Sequence, residues 1–130
     1  MPQYAPPLRD MQFLLHEVFD VCAHYKDTSR YAEVDADTIN AVLEEGGRFA
    51  AEVAFPLNMT GDSEGCVLDR DTHEVATPQG FRQAYAQYVE GGWPALSCDP
   101  EHGGQGLPFV LNQCPVSYTH LRAHETPEHL

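Results

Sequence analysis

Apolar residues recur at intervals of three and four along the first part of the chain, a spacing that predicts amphipathic helices. The first helix is expected to begin near Arg9, after the early prolines, and to fade near His24 or Tyr25. Asp10 is suited to cap this helix or to lie in its first turn, next to the positive end of the helix dipole. The predicted apolar face consists of Met11, Leu14, Leu15, Val18, Phe19 and Cys22.

A second helix follows three residues that favour helix N-termini, namely Asp35, Asp37 and Thr38. Its apolar positions are Ile39, Val42, Leu43, Gly46, Phe49, Ala50 and Val53. Because Pro56 lacks a backbone N–H, we expect this helix to end or kink around Ala54 and Phe55. Gly46 and Gly47 each cost about 1 kcal/mol in helix propensity. The pair therefore suggests that a neighbouring group packs closely there, with simple tolerance as the alternative.

The next segment, residues 58–76, is rich in Gly, Asp, Ser and Thr and is expected to be an exposed loop. Within it, residues 66–68 and 75–76 are able to pair as a small hairpin. Thr77 and Pro78 then predict the start of a third helix, as an N-cap followed by proline at the first helical position. Gly91 and Gly92 predict its left-handed end. The apolar face of the third helix is Phe81, Ala84, Tyr85, Tyr88 and Val89.

A glycine-rich loop occupies residues 98–108 and contains Gly103, Gly104 and Gly106. It has neither the lysine of a Walker loop nor the preceding strand of a Rossmann turn, so its sequence indicates a tight turn with positive φ or a close backbone approach. Pro108 is suited to open a further helix, but the residues after it lack helical periodicity. We therefore expect no regular helix after Pro108.

Composition narrows the classes of function. The chain has 130 residues, with 20 Asp and Glu against 7 Lys and Arg, and a formal net charge of -13. This acidity argues against binding to nucleic acid or to anionic lipid surfaces. No apolar stretch is long enough for a transmembrane helix, and no signal peptide opens the sequence. A cytoplasmic protein of one domain, or a piece of a larger protein, is expected.

Four cysteines and seven histidines raise the question of a metal or redox site. The cysteines Cys22, Cys66, Cys98 and Cys114 form no C-x-x-C pair, so reduced and mostly buried thiols are expected. Cys98 and His102, and likewise His120 and His124, have spacings that zinc accepts, but such pairs are common by chance. The acidic segments 62–65 and 69–71 lack the full calcium-loop pattern, and no nucleophilic triad is recognisable. Residue chemistry alone therefore predicts a helical domain without a metal site.

Five ordered blocks carry a resemblance to a known family. They are residues 4–18, 55–66, 77–85, 88–94 and 103–108, which together cover roughly residues 2–111. In this order they resemble the large bacterial acyl-CoA dehydrogenases, the subgroup that includes 3-methylmercaptopropionyl-CoA dehydrogenases. The resemblance implies an all-α fold, the truncated N-terminal helical domain of the acyl-CoA dehydrogenase fold, an up-down bundle. Residues 1–34 would be a leader helix and residues 35–114 part of that domain.

The resemblance also implies the chemistry of the longer parent enzyme. Members of the family oxidise acyl-CoA thioesters to trans-2-enoyl-CoA with FAD, using a glutamate base, and pass electrons to an electron-transfer flavoprotein. A homo-oligomeric parent is expected. In the family the base and most flavin contacts lie downstream of the glycine-rich loop, so the chain is expected to hold no catalytic, cofactor-binding or metal residue and to be inactive alone. The residues assigned to substrate binding are those of the loop near the acyl cavity, Gly103, Gly104 and Gly106.

The final residues, 115–130, differ from the rest in charge and periodicity. They resemble translated sequencing adapter, so we expect a non-native tail, with a natural His-rich tail as the alternative. Two other classes of protein stay open from the sequence. One is a freestanding helical interaction module that binds a partner through its helix faces, and the other is a small zinc protein.

Overall fold

The structure is a computed structural model that describes the backbone of residues 4–120 and the side chains of residues 4–115. Its α-helices are α1 (Leu8–Gln12), α2 (Val21–Lys26), α3 (Ala36–Phe49), α4 (Phe55–Glu64), α5 (Phe81–Glu90) and α6 (Phe109–His120). Two π-helical segments, Phe13–Val18 and Ala50–Ala54, follow α1 and α3. Short 3₁₀ turns cover Trp93–Ala95 and Pro100–His102. The predicted all-α class is confirmed, with one small hairpin as its β-structure within these residues.

The predicted first helix is not continuous. Asp20 has a φ of 44°, in the left-handed region, and separates the π-helical segment Phe13–Val18 from α2. A short polar side chain makes this conformation accessible, and the Asp20 carboxylate accepts the backbone N–H of Ala23 at 3.4 Å. The apolar face predicted for the first helix was also partly wrong. The structure buries Leu15, Val21 and Tyr25, whereas it exposes Phe13, Leu14, Val18 and Phe19.

Helix α3 begins as predicted, with Asp35 as its N-cap. The Asp35 carboxylate accepts the backbone N–H of Thr38 at 2.8 Å, which satisfies a donor that the helix itself leaves unpaired. After Phe49 the chain continues through the π-helical segment into α4, and Pro56 lies in the first turn of α4. The backbone stays helical through Ala54 and Phe55, so Pro56, which has no N–H to donate, lies where π-helical hydrogen bonding changes to α-helical. The loop predicted from residue 58 was therefore wrong as far as Glu64.

The core lies where α2, α3 and α6 meet. Ile39, Leu43 and Leu111 are 0% exposed, and Leu15, Val21 and Tyr25 complete the cluster. Burying one such aliphatic side chain contributes about 1.5–3 kcal/mol. The presence of α6 overturns the expectation that no helix follows Pro108. Pro108 is fully buried just before the helix, and the seating of Leu111 against α3 provides the tertiary packing that periodicity alone did not predict.

The glycine pair of α3 is in close contact, as its sequence suggested. A Cβ on Gly46 would lie 3.3 Å from the Trp93 ring, and a Cβ on Gly47 would lie 2.9 Å from Pro6. Both glycines are buried. Their missing side chains thus allow the N-terminal segment and the Trp93 turn to pack directly on the backbone of α3.

The hairpin and α5 follow α4. Strands β1 (Val67–Leu68) and β2 (Val75–Ala76) pair antiparallel, with Val67 opposite Ala76, as predicted. The start predicted at Thr77 and Pro78 was wrong by three residues, because Gly80, with φ of 88°, precedes α5 as its N-cap. The predicted left-handed end is present at Gly92, where φ is 73°. No helix in the described part of the chain has both the length and the apolar character needed to cross a bilayer.

Candidate functional site

An apolar groove of about 690 Å³ runs between α4 and α5, and we call it the α4–α5 groove. Its principal walls are Leu57, Gly61 and Asp62 of α4 with Phe81, Tyr85 and Tyr88 of α5. Cys66 and Pro78 line it near the hairpin, and Phe49 lines it near the end of α3. The lining is mostly apolar and aromatic, so the groove is suited to bind apolar surface.

Two glycines set the approach of α4 to α5. A Cβ on Gly61 would lie 2.7 Å from the tip of the Phe81 ring, and a Cβ on Gly80 would lie 2.7 Å from Leu57. Near this contact the Glu64 carboxylate accepts the backbone N–H of Gln79 at 2.9 Å. The hydrogen bond and the glycine contacts hold the start of α5 against α4, and the groove opens beside them.

Aromatic rings line the α5 side of the groove. The ring centroid of Tyr88 lies 5.9 Å from that of Phe49 and 6.4 Å from that of Tyr85. These separations are typical of favourable aromatic pairs. The ionisable groups among the described lining residues are the carboxyl of Asp62, the thiol of Cys66 and the two tyrosine hydroxyls. The described lining thus contains no histidine and no pair of carboxylates of the kind that general acid–base catalysis uses.

The three residues assigned to substrate binding, Gly103, Gly104 and Gly106, lie in the turn before α6 and do not line the groove. Gly103 and Gly106 have φ of 81° and 67°, in the left-handed region. A Cβ on Gly104 would overlap the carbonyl of Cys98. The loop is therefore the tight turn with positive φ and close backbone approach that its sequence indicates.

The backbone N–H groups of residues 103–107 all donate within the turn. Their acceptors are the carbonyl oxygens of Pro100, Asp99, Ala95, Cys98 and Leu96, at 2.9–3.1 Å. The Gln105 side chain also donates to the Gly92 carbonyl at 3.3 Å. A phosphate cradle requires free backbone N–H groups, and this turn has already used its own. Any contact between this turn and a substrate would thus be made by groups other than these five backbone N–H groups.

The cysteines are free thiols, but the prediction that most are buried was wrong. Cys66 and Cys98 are exposed, whereas Cys22 and Cys114 are half-buried against the core. Burial raises the pKa of the Cys114 thiol. Burial, followed by the charge of Asp20, raises the pKa of Cys22. The two half-buried thiols are therefore less ionised at neutral pH than free cysteine.

The described residues contain no group of three or more His, Cys, Asp or Glu side chains that would hold a metal ion. Of the zinc-like pairs, His102 lies in the second 3₁₀ turn and Cys98 lies two residues before that turn. The side chain of His120 and the whole of His124 lie outside the described residues. Most of the expected adapter-derived tail, residues 115–130, lies outside them as well.

The sequence did not predict the α4–α5 groove, although it did predict one wall. The spacing of Phe81, Tyr85 and Tyr88 gave the apolar face of α5. The opposite wall depends on α4, most of which was expected to belong to the exposed loop at residues 58–76. The residues after Pro56 gave no helical signal, because Leu57, Met59 and Gly61 alternate with polar residues at a spacing of two.

The chain is similar to one part of several longer enzymes. No protein-family model matches the chain. It is 40% identical over 108 residues to 3-methylmercaptopropionyl-CoA dehydrogenase of Ruegeria pomeroyi, a match covering 83% of this chain. It is 31% identical over 111 residues to the broad-specificity linear acyl-CoA dehydrogenase FadE5 of Mycobacterium tuberculosis, covering 85% of this chain. Over 113 residues, 82% of this chain, it is 33% identical to butyryl-CoA dehydrogenase of Syntrophomonas wolfei. The chain spans 18% of the length of each relative.

Proposed function

Because the chain belongs to the acyl-CoA dehydrogenase family, of which it is an N-terminal part, we propose that it forms part of the N-terminal helical domain of a longer flavoenzyme. That enzyme would remove hydrogen from the α and β carbons of an acyl-CoA thioester and release a trans-2-enoyl-CoA. The observation that carries the proposal is the 40% identity over 108 residues to the Ruegeria enzyme. The names of the relatives cover several acyl-CoA substrates, so the acyl chain of this enzyme is left open.

FAD would supply the hydride acceptor when bound to the full-length enzyme. The described residues do not fit FAD by themselves. The glycine turn, which is the element most similar to a phosphate loop, has no free backbone N–H from residue 103 to residue 107. The described lining of the α4–α5 groove contains no Lys, Arg or His to pair with a diphosphate. We therefore assign FAD binding and the catalytic base to parts of the enzyme outside this chain.

The share of this chain in catalysis would be positioning. The core of α2, α3 and α6 would hold the helices as one unit, and the turn at residues 103–106 would direct the chain near the acyl cavity. We also propose a cytoplasmic, homo-oligomeric parent that passes its electrons to an electron-transfer flavoprotein. These partners are properties of the whole enzyme, and the 130-residue chain alone is expected to be inactive.

A fusion enzyme tests the proposal. The matched segment of the Ruegeria enzyme would be replaced by residues 4–111 of this chain, and acyl-CoA-dependent dye reduction would be measured. We expect activity within about tenfold of the unmodified enzyme, or about 1.4 kcal/mol of transition-state free energy. A Ruegeria enzyme lacking the segment is the negative control, and a fusion as inactive as this control would contradict the proposal.

Two further controls make the result specific. A fusion carrying Ile39→Asp should lose activity, because it places a charge at a position that is 0% exposed in the core. The purified 130-residue chain should show neither flavin absorbance near 450 nm, to within about 0.1 flavin per chain, nor dye reduction. Turnover by that chain alone would refute the assignment of the catalytic parts to other segments.

A further inference from the structure

The α4–α5 groove leaves more apolar side-chain surface in solvent than scattered surface residues would. Tyr85 is 68% exposed and Phe81 is 37% exposed, although both line the groove. Leu57, Ala84 and Tyr88 continue the same lining between them, so the apolar surface of the groove is contiguous. Single exposed apolar residues are ordinary, whereas a contiguous apolar surface marks a binding site for another molecule.

The shape of the groove favours a helix as its occupant. Its walls are two helices of 10 residues each, which are about 15 Å long. A helix lying along such a groove inserts apolar residues from successive turns between the two walls. A small ligand is usually enclosed over most of its surface, whereas Tyr85 of this groove is 68% exposed and Phe81 is 37% exposed.

Charge argues against two other occupants. A coenzyme A thioester carries several negative charges, and the groove presents the carboxylate of Asp62 with no Lys, Arg or His among the described lining residues. A second copy of the chain would bring a second molecule with a net charge of -13 next to the first. Both would be opposed by repulsion between like charges, whereas an apolar helix face that carries a Lys or Arg near Asp62 would be attracted.

The length of the relatives supplies the source of such a helix. The match covers 18% of each of the three dehydrogenases, so more than four-fifths of each lies outside it. We propose that the α4–α5 groove holds an apolar helix face from the remainder of the full-length dehydrogenase. This inference rests on the proposed function, and it identifies the partner of this surface as the rest of the same polypeptide.

Cys66 provides a probe of the groove, since its thiol is exposed and lies in the lining. Cys98 is equally a free, exposed thiol, but it lies outside the groove and serves as the matched control. The rate of maleimide labelling at each thiol would be measured by peptide mass spectrometry in the 130-residue chain and in the fusion enzyme. We expect Cys66 to label about tenfold more slowly in the fusion, because a seated helix must open before the reagent enters. Cys98 lies in the loop that the proposed function places near the acyl cavity, so its labelling reports protection there, and the protection of Cys66 should exceed it.

The outcomes separate this inference from the proposed function. An active fusion in which Cys66 labels as fast as in the isolated chain would overturn the inference alone. An inactive fusion with Cys66 protected would support the inference while the proposed function fails. In the isolated chain, protection of Cys66 that rises with the chain's concentration would indicate that a second copy fills the groove. Protection of Cys66 that requires added butyryl-CoA would indicate a small ligand. Either of these two results overturns the inference.

A second measurement compares two substitutions on α5, each of which adds one negative charge at a different position. Tyr85→Glu puts the charge inside the groove, whereas Gln83→Glu puts it at an exposed position outside the lining. In the fusion, Tyr85→Glu should abolish the protection of Cys66 and Gln83→Glu should retain it. In the 130-residue chain the two variants should have similar melting temperatures. Equal protection of Cys66 in both fusion variants would contradict a helix seated against Tyr85.

Discussion

Two regions of the molecule use similar apolar residues with different results. The compact region consists of α1, α2 and α3 with residues 93–115, and it buries Ile39, Leu43 and Leu111 completely. The open region consists of α4, the hairpin and α5, and it leaves Tyr85 and Leu68 more than half exposed. The difference lies in the number of neighbours. Three helices meet in the compact region, whereas α4 and α5 in the open region enclose a groove with one side uncovered.

The largest expected effect tests whether the compact region carries the stability of the chain. Leu43→Ala should destabilise it by about 2–5 kcal/mol, because it leaves a cavity at a site that is 0% exposed. Leu68→Ala makes the same chemical change at a site that is 57% exposed in the hairpin, and should alter stability by less than about 0.5 kcal/mol. Urea denaturation followed by circular dichroism would measure both. Equal losses of stability in the two variants would contradict the difference proposed between the compact and open regions.

Glycine substitutions give an intermediate effect. Gly104→Ala should cost about 1–3 kcal/mol, because its new Cβ would overlap the carbonyl of Cys98 and backbone cannot move aside cheaply. Gly61→Ala also creates a short contact, at 2.7 Å, but with the tip of the Phe81 ring at the edge of the open groove. That ring can turn toward solvent, and α4 gains about 1 kcal/mol in helix propensity.

Melting temperatures of the two glycine variants would test this contrast. Gly104→Ala should melt clearly below the unmodified chain, while Gly61→Ala should melt close to it. A larger loss for Gly61→Ala would show that the groove is as tightly packed as the glycine turn.

A smaller effect depends on pH. Hydrogen bonds from Thr38, from its side chain first and its backbone N–H second, lower the pKa of Asp35. The stabilisation by this carboxylate is therefore present above the pKa of the unfolded chain and is lost as pH falls through the lower folded value. Asp35→Asn keeps a capping oxygen without this titration, whereas Asp35→Ala removes the cap.

Melting temperatures from pH 7 down into the acid range would separate these variants. At pH 7 Asp35→Ala should be the least stable. The gap between the unmodified chain and Asp35→Asn should close in acid, below about pH 4. A gap that stays constant with pH would mean that the ionised carboxylate contributes nothing to the cap.

The smallest effect should stay within the open region. The backbone N–H groups of Asp71 and then Thr72 lower the pKa of Asp69, whose carboxylate accepts them at 2.8 and 3.2 Å. Asp69→Ala should loosen the hairpin turn and raise hydrogen exchange of the amides around β1 and β2. The melting temperature should be unchanged, because a short hairpin contributes little to the global fold. A fall in melting temperature similar to that of Asp35→Ala would show that the hairpin contributes to global stability as the compact region does.

The sequence predicted local structure well where one physical signal dominates. Asp35 caps α3, Gly46 and Gly47 admit close neighbours, and β1 pairs with β2, all as expected. Each of these features depends on residues a few positions apart or on the absence of a side chain. Periodicity and capping are local signals of this kind, so the sequence alone is enough to read them.

The failures came from tertiary context. No glycine or proline near Asp20 signals a break, yet its left-handed conformation separates Phe13–Val18 from α2, whose Val21 and Tyr25 join the core. Helix α6 lacks periodicity, and it forms where Leu111 is buried against α3. The groove needs two walls, and one of them was missed because the helix was expected to end or kink at Ala54 and Phe55 and a loop to follow from residue 58. The role of Gly103, Gly104 and Gly106 near a substrate stays a prediction, because it depends on parts of the enzyme beyond this chain.

The contact between Trp93 and Gly46 also has an optical consequence. Trp93 is the single tryptophan of the sequence, and its ring rests against the middle of α3. The ring also lies beside Gly91 at the end of α5, so its fluorescence reports on the junction of α3, α5 and the 93–95 turn. The indole is thus a natural label for the place where the two regions meet, whereas the Cys66 thiol is a label for the open groove.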